Sequence, residues 1–355
     1  MALKEAFDAR PDLRVECKLI DTLEEYSPAP LDLMPDAYGQ IIKRPKLLWT
    51  PIYKISDGPR RAKFFTQAIS AFSWRGANRL VEENPSDLFV SVYHLANAPV
   101  YDALERHGLH TPFVTVVTDL VTTPPVWYDK RASLTIVPTE AARTRAIGYG
   151  MPPGRVQVIG LPISGRFSQP VPDRKMLRQQ LGWATDRRVL LLFAGGEGRG
   201  PLLDICDTIS DAGLNVTVAV VTGKNARLRR KLERRAKTYP MPVHVYGYVS
   251  NMPDIMAASD ILATKAGPGT ICEALASGLP MLIYAYLPGQ EEGNVSLVTE
   301  SGAGFWVPTT DELVFTLRNL LTNPEALERA SHACRALAKP QAGPEIVNVL
   351  AGLIS

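Results

Sequence analysis

The sequence predicts an α/β protein made of two Rossmann-like domains facing a cleft. Short β-branched runs alternate with helical segments along the chain, and ten such runs are too many for one ordinary domain. Gly, Pro and Ser interrupt the pattern over "GLPISGRFSQPVPDRK", residues 160–175, where a linker fits. A length of 355 residues suits two domains of roughly 150 residues each. With 46% hydrophobic and 21% charged residues, the composition excludes a disordered or fibrous chain.

Taken in order, the chain opens in a helix, "ALKEAFDAR", whereas a doubly wound domain ordinarily opens with a strand and a phosphate-binding turn. One strand and one loop are therefore expected to be missing from the start. Five runs are read as strands of the first domain: "RVECKLID" (14–21), "DLFVSVYH", "PFVTVVTD", "LTIVPTE" and "RVQVIGLP". Five belong to the second: "RRVLLLFAGG", "NVTVAVVTG", "VHVYGYV", "DILATKAG" and "LPMLIYAY". The domains are expected over 1–163 and 164–338, with ligands at the carboxyl ends of the strands. The tail after Lys339 reads as an amphipathic helix over 339–355 that packs back on the first domain.

The formal net charge is only +3, but residues 41–79 hold nine Lys or Arg against one acid, Asp57. Trp49, Tyr53, Phe64, Phe65 and Trp74 are interleaved with them. Two readings stand for this segment: a surface resting on an anionic membrane, or a helix with a buried apolar face and a solvated basic face. Four scattered cysteines without a C-x-x-C pair support neither a metal cage nor a disulfide framework. The first residues lack the apolar core of a signal peptide, and no stretch reaches the ~18 apolar residues of a membrane span. A cytoplasmic protein in peripheral contact with the inner face of a membrane is expected, with no nucleic-acid partner.

The chemistry concentrates in "TKAGPGTICEALASGLP", residues 264–280, a strand-to-helix turn with its helix starting at Pro268 and ending near Gly278. Pro suits a first helical turn, and glycines let backbone amides approach a phosphate, with Lys265 and the Thr270 hydroxyl close by. Glu273 is placed to accept hydrogen bonds from ribose hydroxyls. A plain tight turn is the alternative. "LLLFAGGEGRGP" (190–201) is a second strand, glycine cluster and helix start, and it matches neither G-x-G-x-x-G nor a P-loop. "YLPGQEEGN" (286–294) groups Gln290, Glu291 and Asn294, suited to sugar hydroxyls or to a solvated loop. No D-x-D pattern occurs, so a nucleotide diphosphate is expected to be held by amides and lysine, with no metal and no cofactor beyond a UDP-sugar co-substrate.

In their order, "AGGEGRGP", "GYVSNM", "TKAGPGTICEALASGLP" and "GQEEGN", with "TVVTDLVTTPPVWY", "VPTEAA" and "VIGLPI" in the first half, resemble the monogalactosyldiacylglycerol synthase family. That family is related to the peptidoglycan N-acetylglucosaminyltransferase. The resemblance spans nearly the whole chain. It implies a glycosyltransferase B fold, and an inverting enzyme with a UDP-sugar, UDP-galactose or UDP-glucose, on the second domain and diacylglycerol or a similar lipid on the first. Carried over, Gly196 and Gly198 approach the diphosphate, and Tyr248 and Val249 flank the uracil. Lys265, Gly269 and Thr270 bind phosphate, Glu273 the ribose, and Gln290, Glu291 and Asn294 the donor sugar or its surroundings. Trp127 joins the membrane or acceptor residues.

This sequence departs from the family at two places. The glycine-rich loop that ends in the proposed catalytic histidine would precede Met1, and Pro124 stands where the family has His before Pro125. Asp119, at the carboxyl end of "FVTVVTD", is then the stronger candidate for acceptor contact or proton abstraction, followed by His94 at the end of "DLFVSVYH". A hydrogen-bonded structural histidine is the other reading of His94. Three functions are weighed: the lipid glycosyltransferase, a non-catalytic or truncated UDP-sugar-binding relative, and a UDP-sugar epimerase.

Overall fold

The structure, a computed structural model, describes residues 1–29, 59–169, 173–198 and 200–354. These form two compact units. The first comprises Met1–Ser164, Leu287–Gly293 and Gln341–Ser355; the second comprises Gly165–Tyr286 and Asn294–Pro340.

In chain order, the first unit carries helices α1 (Ala2–Asp8) and α2 (Pro59–Glu83), strand β1 (Phe89–Ser91), helix α3 (His94–Arg106), strands β2 (Phe113–Val116) and β3 (Leu134–Val137), helix α4 (Glu140–Gly148) and strand β4 (Val156–Val158). The four strands form a parallel sheet in the order β1-β2-β3-β4. Both faces are covered, as a parallel sheet requires. Phe113 and Val137 pack with Leu80, Val81 and Leu104 of α2 and α3 on one side. On the other, Val114, Val116 and Ile136 meet Ile346 and Leu350 of the last helix (Ala342–Ala351), together with Leu3 and Phe7 of α1.

The run expected as a first strand, residues 14–21, is not one. Its side chains alternate between exposed and half-buried from Arg14 to Lys18, the period of an extended backbone, but a strand needs a neighbour to complete its ladder, and among the described residues none pairs with it. Arg14 enters it in the left-handed region, at φ 51°.

The second unit continues with α5 (Arg174–Leu181), β5 (Arg188–Phe193), α6 (Leu202–Asp211), β6 (Val216–Val221), α7 (Ala226–Ala236), β7 (Val243–Tyr246), α8 (Met252–Ala258), β8 (Ile261–Lys265), α9 (Pro268–Ala276), β9 (Met281–Ala285), α10 (Glu292–Glu300), β10 (Gly304–Trp306), α11 (Thr310–Thr322) and α12 (Pro324–Leu337). The last helix of the chain is α13. Helix α10 starts in the segment grouped with the first unit and runs on into the second.

Six parallel strands lie in the order β10-β9-β8-β5-β6-β7. Counted from β5, that is the doubly wound order, which reverses between β5 and β8, and ligands gather at the carboxyl ends of strands beside such a switch point. β10, which the periodicity does not reveal, is three residues long. A side chain at Gly304 would strike the Met281 carbonyl at 2.4 Å, so the close approach of β10 to β9 depends on that glycine.

The amino ends of β5 and β8 are fixed by Asp260, which is 3% exposed. Its carboxylate accepts from Arg178 (2.5 Å), Arg174 (3.1 Å), Arg188 (3.0 Å) and the amide of Val189 (2.7 Å). A buried carboxylate is tolerated because each of its lone-pair directions meets a donor.

Candidate functional site

In the second unit both glycine turns fall at the switch point, one after β5 and one after β8. After β5, Gly195 and Gly198 hold φ of 78° and 59°, values that favour glycine. A Cβ at Gly198 would lie 1.7 Å from the Thr222 carbonyl, so the space of its missing side chain is filled by the loop that follows β6. That loop is tied back by the Lys224 amide to the Gly196 carbonyl (2.9 Å) and by Asn225 Nδ2 to the Gly198 carbonyl (3.1 Å). Gly196 itself is exposed.

After β8, Gly267 caps α9 and Pro268 occupies its first turn. No side chain among the described residues caps this end, so the amides of Gly269 and Thr270 stay open to an anion. The Lys265 side chain runs from the end of β8 toward the other turn, where a Cβ on Gly195 would come within 3.9 Å of its ammonium. The second unit therefore brings together Gly195, Gly196, Lys265, Gly269 and Thr270, a set of amides and one cation able to cradle a diphosphate.

Glu273 lies one turn into α9, and burial pushes its carboxyl up to about 7. At neutral pH it can therefore either accept or donate a hydrogen bond. Tyr248 is 73% exposed just past β7, and Val249 beside it is half-buried. Asn294, expected at the donor sugar, is 1% exposed. Its amide donates to the Ala266 carbonyl at 2.9 Å, which makes it a support beneath the turn before α9. It stands among the surroundings of the expected donor site, held to the backbone at Ala266.

The first unit holds a second cluster, made of side chains. Asp119 stands three residues past β2 and is 5% exposed. Its Oδ2 accepts from Trp127 Nε1 and its Oδ1 from Gln290 Nε2, each at 2.7 Å. Burial raises the Asp119 carboxyl above its ordinary value, and the two N–H donors pull it back. Trp127 is fixed in turn by Asn97, which donates to its carbonyl at 3.1 Å, and by His94, whose ring centroid lies 5.1 Å from that of Trp127.

β1 ends at Ser91, so His94 is the first residue of α3 and not the last of a strand. Burial holds its imidazole down at about 4, neutral at physiological pH. Two residues assigned from separate parts of the chain, Asp119 and Gln290, thus meet directly. Glu291, next in the same loop, accepts from the Leu287 amide at 2.7 Å and closes the loop on itself.

Trp127 needs correction as a membrane residue, because at 2% exposure it lies inside the core of the first unit. Sequence reasoning missed its bond to Asp119, since nothing in the spacing of residues 119 and 127 tells which way an indole points. Asn225 was missed too, although "TGKN" after β6 carries the signal of a glycine turn followed by an Asx helix cap. Of the other residues expected at the membrane, Phe64 is 75% and Trp74 43% exposed on α2, and Phe65 is half-buried. Ala77, Leu80 and Val81 of the same helix are buried, so α2 combines a core face with exposed aromatics. Trp49 and Tyr53 lie outside the described residues. Among the described residues no helix is long and apolar enough to cross a membrane.

The profile described as monogalactosyldiacylglycerol (MGDG) synthase matches residues 1–163, and that of the glycosyltransferase family 28 C-terminal domain matches residues 202–343. The chloroplastic monogalactosyldiacylglycerol synthase of Spinacia oleracea is 32% identical, covering 99% of this chain and 69% of that protein. Among solved structures, the UDP-GlcNAc 2-epimerase from Neisseria meningitidis bound to UDP-GlcNAc aligns with a TM-score of 0.59 at 16% identity, over 83% of this chain and 82% of that one. MurG of Acinetobacter baumannii aligns with a TM-score of 0.56 at 16% identity, over 78% and 76%. At such identities the structural likeness speaks for the fold, which is the glycosyltransferase B fold. With its amino-terminal profile, its relatives along nearly the full chain and its two parallel sheets in agreement, this chain belongs to the monogalactosyldiacylglycerol synthase family.

Proposed function

We propose that the chain is an inverting glycosyltransferase that moves galactose or glucose from a UDP-sugar to diacylglycerol or a similar lipid at a membrane surface. The spinach relative is named for such a glycolipid, and the Neisseria epimerase carries a UDP-sugar on the same fold. In this reading the second unit holds the donor. The amides of Gly269 and Thr270 and the Lys265 ammonium meet the diphosphate, Tyr248 and Val249 flank the uracil, and Glu273 takes the ribose.

The first unit supplies the acceptor contacts and the base. The acceptor hydroxyl gives its proton to the Asp119 carboxylate while its oxygen forms the new bond to the anomeric carbon. The bond to UDP breaks with its electron pair on the β-phosphate oxygen, whose charge the donor amides and Lys265 are suited to absorb. Charge neutralisation by these groups is proposed to need no divalent ion, so activity is expected to survive EDTA.

The observation that carries the reading is the 2.7 Å bond from Gln290 to Asp119, which puts an amide suited to sugar hydroxyls directly on the candidate base. The test is incubation with radiolabelled UDP-galactose or UDP-glucose and diacylglycerol vesicles, followed by lipid extraction. Label in the lipid supports transfer.

A second reading, a non-catalytic UDP-sugar-binding relative, draws on the same geometry, because both Asp119 oxygens already accept N–H donors and His94 is neutral and packed, tilted, against Trp127. Heat on titration with UDP but no labelled lipid would select it.

A further inference from the structure

Helix α7 and its flanks, Lys224–Lys237, carry eight Lys or Arg against one acid, Glu233. That is a net of +7 in a chain whose total is +3, so the remainder is net acidic. Two of the eight are paired, Arg229 with Glu233 (2.7 Å) and Arg235 with Asp207 (2.8 Å). The other six, Lys224, Arg227, Arg230, Lys231, Arg234 and Lys237, are exposed and face no carboxylate among the described residues. The helix is anchored by Leu232, fully buried, and Leu228, while no apolar side chain of the segment larger than alanine is exposed.

We infer that this cationic face of the second unit binds an anionic bilayer surface by charge alone. The inference rests on the reading that the acceptor is a membrane lipid. Cations held apart on a rigid helix attract a negatively charged leaflet without inserting into it. A single-stranded nucleic acid is the weaker fit, because such sites add aromatic stacking platforms to the charge and Lys224–Lys237 contains no aromatic residue. Tyr239, just beyond, is occupied: its hydroxyl donates to Asp207 at 2.7 Å and the Arg235 guanidinium lies over its ring. The mode differs from that of α2, whose exposed Phe64, Phe72 and Trp74 provide apolar surface.

The experiment is co-sedimentation of the full chain with vesicles of phosphatidylcholine alone, or of phosphatidylcholine with phosphatidylglycerol, over a series of salt concentrations. A variant with Arg227→Gln, Arg230→Gln, Lys231→Gln and Arg234→Gln is compared with the charge-keeping set R227K, R230K and R234K, and thermal melts show that each is folded. Near an anionic surface each cation is worth roughly fivefold in affinity, and not all four need touch at once, so the glutamine variant should bind the anionic vesicles at least about 30-fold more weakly. It should also lose much of the salt dependence, while the lysine set stays near wild type. Three results would overturn the inference: unchanged anionic-vesicle binding by the glutamine variant, equal loss by the lysine set, or binding of an RNA oligomer with none to anionic vesicles. None of these readouts uses sugar transfer, so a failure here is distinct from a failure of the proposed activity.

Discussion

The two units build their candidate sites from different materials. The second unit uses backbone: two strand-to-helix turns at one switch point, with glycines that open space for main-chain amides and a single lysine between them. The first uses side chains: the Asp119 carboxylate accepts from Trp127 and Gln290, and His94 packs against the Trp127 ring. A backbone site is local and survives many substitutions as long as the turn forms. A side-chain site is lost when one partner goes, because the buried carboxylate is then left with an unmet lone pair.

The largest expected effect tests the first unit directly. Asp119→Asn should lower sugar transfer by ~10²–10⁴-fold and leave UDP-sugar affinity as it was. Normal transfer by this variant would remove the base from the first unit. Next comes the cation of the second unit: Lys265→Gln should weaken UDP-sugar binding by about 1.5–3 kcal/mol in calorimetry, since a charge-assisted bond to phosphate is lost. Gly198→Ala probes the backbone half of the comparison. With φ at 59° and the Thr222 carbonyl 1.7 Å from the new Cβ, the turn must shift, at a cost of about 1–3 kcal/mol read as a lower Tm and weaker donor binding.

A smaller effect sharpens the role of Trp127. Trp127→Phe keeps a ring against His94 but removes the N–H that stabilises the Asp119 carboxylate, so the carboxyl rises further and the acid limb of the pH–rate profile moves to higher pH. An unmoved limb would mean that the indole is there for packing only.

The smallest effect concerns Glu273, whose carboxyl is raised from 4.5 to about 7 by burial. Its protonated form is favoured by the fold, so its contribution to stability is complete below 4.5 and is lost as pH rises through about 7. If Glu273 takes the ribose as proposed, donor affinity should run the other way and increase through the same range, because a carboxylate can accept from both ribose hydroxyls. Titration with UDP-glucose, whose diphosphate does not ionise near neutrality, should show that trend in the wild type, and Glu273→Gln should abolish it.

The difference between the units also explains what could be read in advance. The glycine turns, the helix start at Pro268 and most of the strands are written in runs of neighbouring residues, and they stand where the periodicity puts them. Segment 14–21 shows the limit, for its alternation encodes an extended backbone but not a partner to pair with. Gly304–Trp306 shows the converse, a strand too short for any period to register and held by its approach to β9.

What the sequence determined by itself was therefore local: alternating element types, backbone freedom at glycine, and charge density along a helix, each a property of residues a few positions apart. The tertiary structure alone decided which distant polar groups meet in a buried place. Only the folded backbone brings Gln290 and the Trp127 indole to the two oxygens of Asp119, turns Asn294 inward beneath Ala266, and raises Glu273 by removing it from water. Desolvation and side-chain direction depend on neighbours far away in the chain, and residue spacing carries no record of them.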